Sequence, residues 1–147
     1  MKKYTFWVKT GIAFQMITTI FHSLSLVNEA QPANETETQL LGLMKSYKFD
    51  LGLGFFKSMN DLMTSFSISF SLLLLFSICI NWFLLKKNVE INIWKGIILI
   101  NLIIFSLCFL TMTVFTFLPP IICTGLIVIS FLIALILIKP KTSTDLI

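Results

Sequence analysis

The sequence predicts an all-α membrane protein: a four-helix transmembrane bundle with a short amphipathic helix in its first outer loop. Three observations lead to it. Apolar side chains make up 56% of the 147 residues and mean hydropathy is +0.93, above the roughly 45–50% of an ordinary soluble domain. Charged residues are 12% of the chain and gather in short stretches between long apolar runs instead of covering a surface. Four of those runs reach the about 20 apolar residues that a helix needs to cross the hydrocarbon core. A chain of this length is expected to form a single domain, 1–147.

The spans fall at roughly 6–27, 61–85, 93–118 and 119–138. The last is the plainest, reading IICTGLIVISFLIALILI between Pro120 and Lys139. Pro119 and Pro120 suit a turn and a first helical position, not a helix interior, so the last two spans are expected to form a tight hairpin. Lys2 and Lys3 before an apolar stretch, with Ser23-Leu24-Ser25 after it, loosely resemble a cleaved signal. Lys9, Gln15 and His22 interrupt that stretch, and a retained first span is the expectation.

Orientation follows from lysine, since cytoplasmic flanks carry the basic excess. Lys2, Lys3 and Lys9 precede span one, Lys86, Lys87 and Lys95 lie between spans two and three, and Lys139 and Lys141 follow span four. Lys45, Lys48 and Lys57 share the opposite side with Glu29, Glu35, Glu37 and Asp50. Both termini are therefore expected in the cytoplasm and the long first loop outside, in a multi-pass protein of a cell membrane. Abundant Phe, Ile, Lys and Asn without Arg suits an AT-rich bacterial genome, and the expected membrane is then a bacterial inner membrane. Trp7, Trp82 and Trp94 are expected to anchor the cytoplasmic boundary.

Several functions are disfavoured. Without Arg there is no guanidinium fork for phosphate or base edges, so nucleic acid is not an expected partner. Cys79, Cys108 and Cys123 form no C-x-x-C pair and are expected to be buried thiols. No metal-ligand array and no nucleotide or hydrolase motif occurs, so no metal, cofactor or catalytic residue is assigned.

The first loop opens on NEAQPANETETQ and then turns amphipathic. Asn34 can cap a short helix, with Glu37 reaching back to the Asn34 amide as in a capping box. Leu40, Leu43, Met44 and Tyr47 then share one face, expected to rest on the bundle or in the headgroup layer.

Polar residues inside the first two spans are not scattered. Gly11, Gln15, Thr18, His22 and Ser25 follow a single helical stripe, as do Asn60, Thr64, Ser67 and Ser71. Such stripes can simply hold two helices together. His22 and Asp61 ask for more, because ionisable groups in or at the edge of a span are functional candidates. Antiparallel helices would bring them to one outer depth, where the helix dipoles favour the charged form of each. Lys57 lies four residues before Asp61, close enough to pair with it. The expected ligand-binding or proton-responsive site therefore comprises His22, Asp61, Lys57, Asn60 and Thr64, with Gln15 and Thr18 further along the stripe.

Phe21-His22-Ser23, Pro32, the run MKSYKFDLGLGFFKSMNDLMTSFSISFSLLLL and Phe117 to Pro119 or Pro120 together resemble a family of short, uncharacterised bacterial four-span proteins near the DoxX-like membrane proteins. The resemblance places His22 at the family's Gly-His motif, Lys57-Ser58 at its Arg-Ser and Asp61-Leu62 at its Asp-Phe. Phe21 stands in place of Gly and Lys57 in place of Arg, which removes close backbone approach and the bidentate fork. The resemblance implies the four-helix architecture and points to the His22/Asp61 region without naming a reaction.

The expected role is binding of a small or lipid-like ligand in an outward-facing polar site between helices one and two. The alternative is a structural or accessory subunit that docks on a membrane protein partner. Enzymatic roles are less expected, because quinone-linked disulfide chemistry would want paired cysteines and fatty-acid or glutathione chemistry would want Arg.

Overall fold

The computed structural model describes residues 3–27, 31–87 and 89–138. In chain order the elements are α1 (Lys3–Val27), α2 (Glu35–Ser46), β1 (Lys48–Asp50), β2 (Phe56–Ser58), α3 (Met59–Lys86), α4 (Ile91–Phe115) and α5 (Leu118–Leu137). Each apolar run of the sequence forms one long helix. Helices α3, α4 and α5 are long and apolar enough to cross a membrane. Helix α1 has the length, but Lys9, Gln15, Thr18, Thr19 and His22 dilute its apolar character.

The described residues divide into two compact units, one formed by 3–19 with 74–87 and 89–138, the other by 20–27 with 31–73. The first is helical. Its buried apolar residues recur at helical spacing, Tyr4, Val8 and Ile12 on α1, Trp94, Ile98 and Phe105 on α4, Ile127, Phe131 and Ala134 on α5, so each helix turns one stripe inward. Helices α4 and α5 form the expected hairpin. The α4 cap, Thr116, donates its N–H to Met112 O at 3.0 Å, Phe117 caps α5, and Pro119 sits in the first turn, where a missing N–H removes no helical bond. Phe105 stacks on Phe131 with ring centroids 6.2 Å apart.

The outward faces of this unit are apolar and its interior is partly polar. Phe76, Leu107 and Ile136 are exposed while Gln15, Asn81, Thr124 and Ser130 are buried. That inversion of the soluble pattern is what a hydrocarbon solvent selects, since lipid accepts apolar surface and polar groups must find partners inside.

Tyr4 and Trp94 pack with centroids 6.2 Å apart, which joins the beginning of α1 to the beginning of α4. Lys3 and Lys9 of α1, Lys86 and Lys87 at the end of α3, and Lys95 of α4 therefore belong to one end of the unit. Lys2, Lys139 and Lys141 lie outside the described residues. Trp94 departs from the anchoring role expected of it: it is 4% exposed, in the core against Tyr4. Trp82 is exposed, with the Lys86 ammonium 5.5 Å from its ring centroid. The thiols are less buried than expected, Cys79 exposed and Cys108 and Cys123 intermediate.

The second unit contains α2 and a feature the all-α expectation lacked, a small antiparallel hairpin. Its register is Lys48↔Ser58, Phe49↔Lys57 and Asp50↔Phe56. The turn is possible because Gly52 (φ 83°) and Gly54 (φ 82°) take left-handed conformations, and Leu53 between them takes one too (φ 56°). Helix α2 begins at the expected cap: Asn34 Oδ1 accepts the Glu37 N–H at 2.9 Å. The Glu37 carboxylate reaches one residue further back than expected, accepting the Ala33 N–H at 2.7 Å and the Asn34 side-chain amide at 3.3 Å.

Candidate functional site

The polar side chains form two separate constellations. In the helical unit, Gln15 of α1 donates from Nε2 to Ser77 Oγ of α3 at 3.1 Å, and the Ser77 hydroxyl donates to Asn101 Oδ1 of α4 at 3.1 Å. Asn81 and Asn101 exchange amide bonds of 3.0 and 3.2 Å. Asn101 Nδ2 also reaches Ile97 O at 2.8 Å, and Asn81 Nδ2 reaches Ser77 O at 2.9 Å. Three helices are thereby tied at one level. Gln15 is fully buried, and its Oε1 has no hydrogen-bond partner among the described residues, an acceptor whose desolvation this layer does not offset.

Thr18, expected on the same contact stripe, is buried but donates to Phe14 O of its own helix at 2.7 Å. Thr19 and Ser71 likewise bond their own helices, to Gln15 O and Ser67 O. A hydroxyl in an apolar helix has an acceptor four residues back at no packing cost. The interhelical bonds come instead from amides and from Ser77, which lies outside the Asn60, Thr64, Ser67, Ser71 series.

The second constellation lies where β2 runs into α3. The Ser58 N–H donates to Asp61 Oδ2 at 3.0 Å and the Asp61 N–H donates to Ser58 Oγ at 3.1 Å, a reciprocal capping box that satisfies a donor on each side of the helix start. The cations of Lys57 and Lys48 act on the same carboxylate. Asp61 thus has a local structural task, and Asn60 and Thr64 are exposed on the first turns beside it.

His22 is half-buried, its ring edge-on to Phe70 with centroids 5.1 Å apart. Phe70 follows Asp61 by nine residues on α3, about 13 Å along the axis. His22 thus meets α3 at Phe70. Chain order fixes which helix ends are neighbours but not how far one slides past the other.

In this unit residues of α2, β1 and the start of α3 line an open groove of about 360 Å³, formed by Leu43, Met44, Tyr47, Phe49 and Met59. Tyr47 and Phe49 meet edge to face at 5.0 Å. Phe49 is paired with Lys57, and directly opposed residues of an antiparallel pair share a face, so the Lys57 stem leaves the hairpin on the groove side. Comparison with family models, with curated proteins and with solved structures found no match.

Proposed function

We propose that this chain is a multi-pass cell-membrane protein that binds a small lipid-like amphiphile with an anionic head on its outer side. In this reading α1 is the fourth span, both termini are cytoplasmic, and the bacterial four-span proteins near the DoxX-like group are its kin. The supporting observation is the groove between α2, β1 and α3, apolar along its length, with Lys57 on the same face of the hairpin as Phe49. Such a groove takes hydrocarbon, at about 0.8 kcal/mol per buried methylene, and an ammonium at its rim meets an anionic head. Asn60 and Thr64, exposed on the next turns, are the polar neighbours available to that head. Its volume lies at the lower end of ligand sites, about 300–1,000 Å³, which suits one short chain. The lysine end formed by α1, α3 and α4 supports the orientation.

A fatty acid carrying a diazirine in its chain, photolysed with the protein reconstituted in lipid, tests this reading. Crosslinks mapped by mass spectrometry are expected within 43–59, falling severalfold in Met44→Glu and in Lys57→Glu. Labelling spread evenly over the lipid-facing helices and unchanged in both variants would overturn ligand binding and leave the subunit role.

A further inference from the structure

We infer that the tip of the β1–β2 hairpin is a lipid-contacting wedge that enters the headgroup layer of the bilayer. The sequence of the tip is Leu51-Gly52-Leu53-Gly54-Phe55-Phe56, and all four of its large side chains are exposed, Leu53 at 98%. Leu53 is also left-handed, at φ 56°, a conformation that a branched apolar residue rarely occupies and that glycine or asparagine would take without strain. Two unfavourable features therefore coincide at one residue: a leucine is held in an unsuitable backbone conformation, and the result is to show it wholly to the surroundings.

The turn is braced in that state. The Asp50 carboxylate accepts the Gly52 N–H at 2.8 Å, the Leu51 N–H reaches Phe55 O at 2.9 Å, and the Phe55 N–H reaches Gly52 O at 3.0 Å. In water such a surface would favour aggregation. At a membrane interface it is an anchor, because leucine and phenylalanine enter the acyl boundary while lysine stems reach back to phosphate.

Two further observations identify lipid as the occupant. Strand β2 ends at Ser58 and the long apolar helix α3 begins at Met59, so the hairpin is fixed to a membrane-crossing element with no linker. Leu53 is five residues from Ser58, a reach of at most about 17 Å, against headgroup layers of about 5–7 Å on each side of the hydrocarbon. Lys48 and Lys57 stand on the two strands behind the tip, where cations face anionic headgroups. The inference rests on the chain being embedded in a membrane and not on the groove having a ligand.

The test places a polarity-sensitive fluorophore on Leu53→Cys, with Cys79, Cys108 and Cys123 replaced by Ala, in vesicles of phosphatidylcholine and phosphatidylglycerol. Glu35→Cys, exposed on the first turn of α2, is the reference, and Phe55→Cys is a second tip position if the first fails to yield monodisperse protein. The tip label is expected to emit to the blue of the reference and to lose most of its intensity when brominated lipids are included, while the reference is unaffected. A tip label that emits as in water, or is blue-shifted yet unquenched by brominated lipid, would overturn the inference, the latter because the tip would then be packed on protein. Equal quenching at both positions would overturn it as well. Because the quencher can be placed in both leaflets, the readout is independent of orientation, and fatty-acid crosslinking can fail while tip quenching succeeds.

Discussion

Gln15 of α1 is hydrogen-bonded to Ser77 of α3 at 3.1 Å, and the same Ser77 hydroxyl donates onward to Asn101 of α4. Asn101 is the hub of this layer, accepting from Ser77 and Asn81 and donating to Asn81 and to Ile97 O. Without it, the Ser77 hydroxyl, one Asn81 amide N–H and Asn81 Oδ1 each lose a partner in an apolar interior. Single interhelical bonds in membranes average about 0.6 kcal/mol, whereas an unsatisfied buried group costs about 1–3 kcal/mol. Asn101→Leu should therefore lower stability by about 1–3 kcal/mol, and the Asn81→Leu/Asn101→Leu double variant by less than the sum of its parts. Unfolding in detergent measures both, and strict additivity would mean that the amides do not act as a pair.

The close approach of α1 to α5 depends on a missing side chain. A methyl on Gly11 would lie 3.1 Å from the Phe131 ring, which is fully buried and stacked on Phe105. Gly11→Ala should cost about 1–3 kcal/mol as overpacking, with partial recovery in Gly11→Ala/Phe131→Leu. Gly96 in α4 has no atom within 4 Å of a built methyl, so Gly96→Ala should be neutral or gain up to about 1 kcal/mol. Equal effects at the two glycines would refute the contact.

What the sequence made legible was local. The helices over the four apolar runs, the turn at the proline pair and the Asn34–Glu37 cap each depend on residues close together in the chain, and each formed at or near its expected place, three of the helices being long and apolar enough to cross a membrane. Asn81 and Asn101 were not legible, because each is an isolated amide in its own apolar run and their partnership depends on the register of α3 against α4. The hairpin was hidden for a different reason: strands of three residues offer no alternation to detect, and the two glycines of its turn were weighed only against phosphate-binding loops. His22 and Asp61 were set at one depth from chain order, which says which helix ends are neighbours, whereas the contact of His22 with Phe70 depends on how one helix slides past the other.

Membrane orientation is open to direct measurement. Lys3, Lys9, Lys86, Lys87 and Lys95 belong to one end of the helical unit through the Tyr4–Trp94 contact and the α3–α4 amide pair. In a Cys-free background, impermeant thiol reagent applied to intact cells should label Glu35→Cys and leave Lys87→Cys unlabelled until the membrane is opened. The reverse pattern would invert the topology, and labelling of both from outside would remove one span.

The last prediction separates the structural role of Asp61 from a functional one. Ser58 and Asp61 each donate a backbone N–H to the other's side chain, at 3.0 and 3.1 Å, so removing either side chain breaks one bond directly and weakens the geometry of the other. Loss of a cap costs about 0.5–2 kcal/mol. Ser58→Ala and Asp61→Ala should fall in that range singly, and the double variant should cost little more than either alone, because the box works as a unit. The effect should be local: amide hydrogen exchange should quicken over 58–62 at the start of α3 and stay unchanged over the Ser77–Asn81 turn, some twenty residues away. Asp61→Asn keeps an acceptor oxygen and should retain most of the protection, while removing the charge that Lys57 and Lys48 act on. Fatty-acid crosslinking in the Asp61→Asn protein should therefore persist. If instead Asp61→Asn left exchange over 58–62 unaltered and abolished crosslinking, the carboxylate would be a ligand contact and the capping account of this residue would be insufficient.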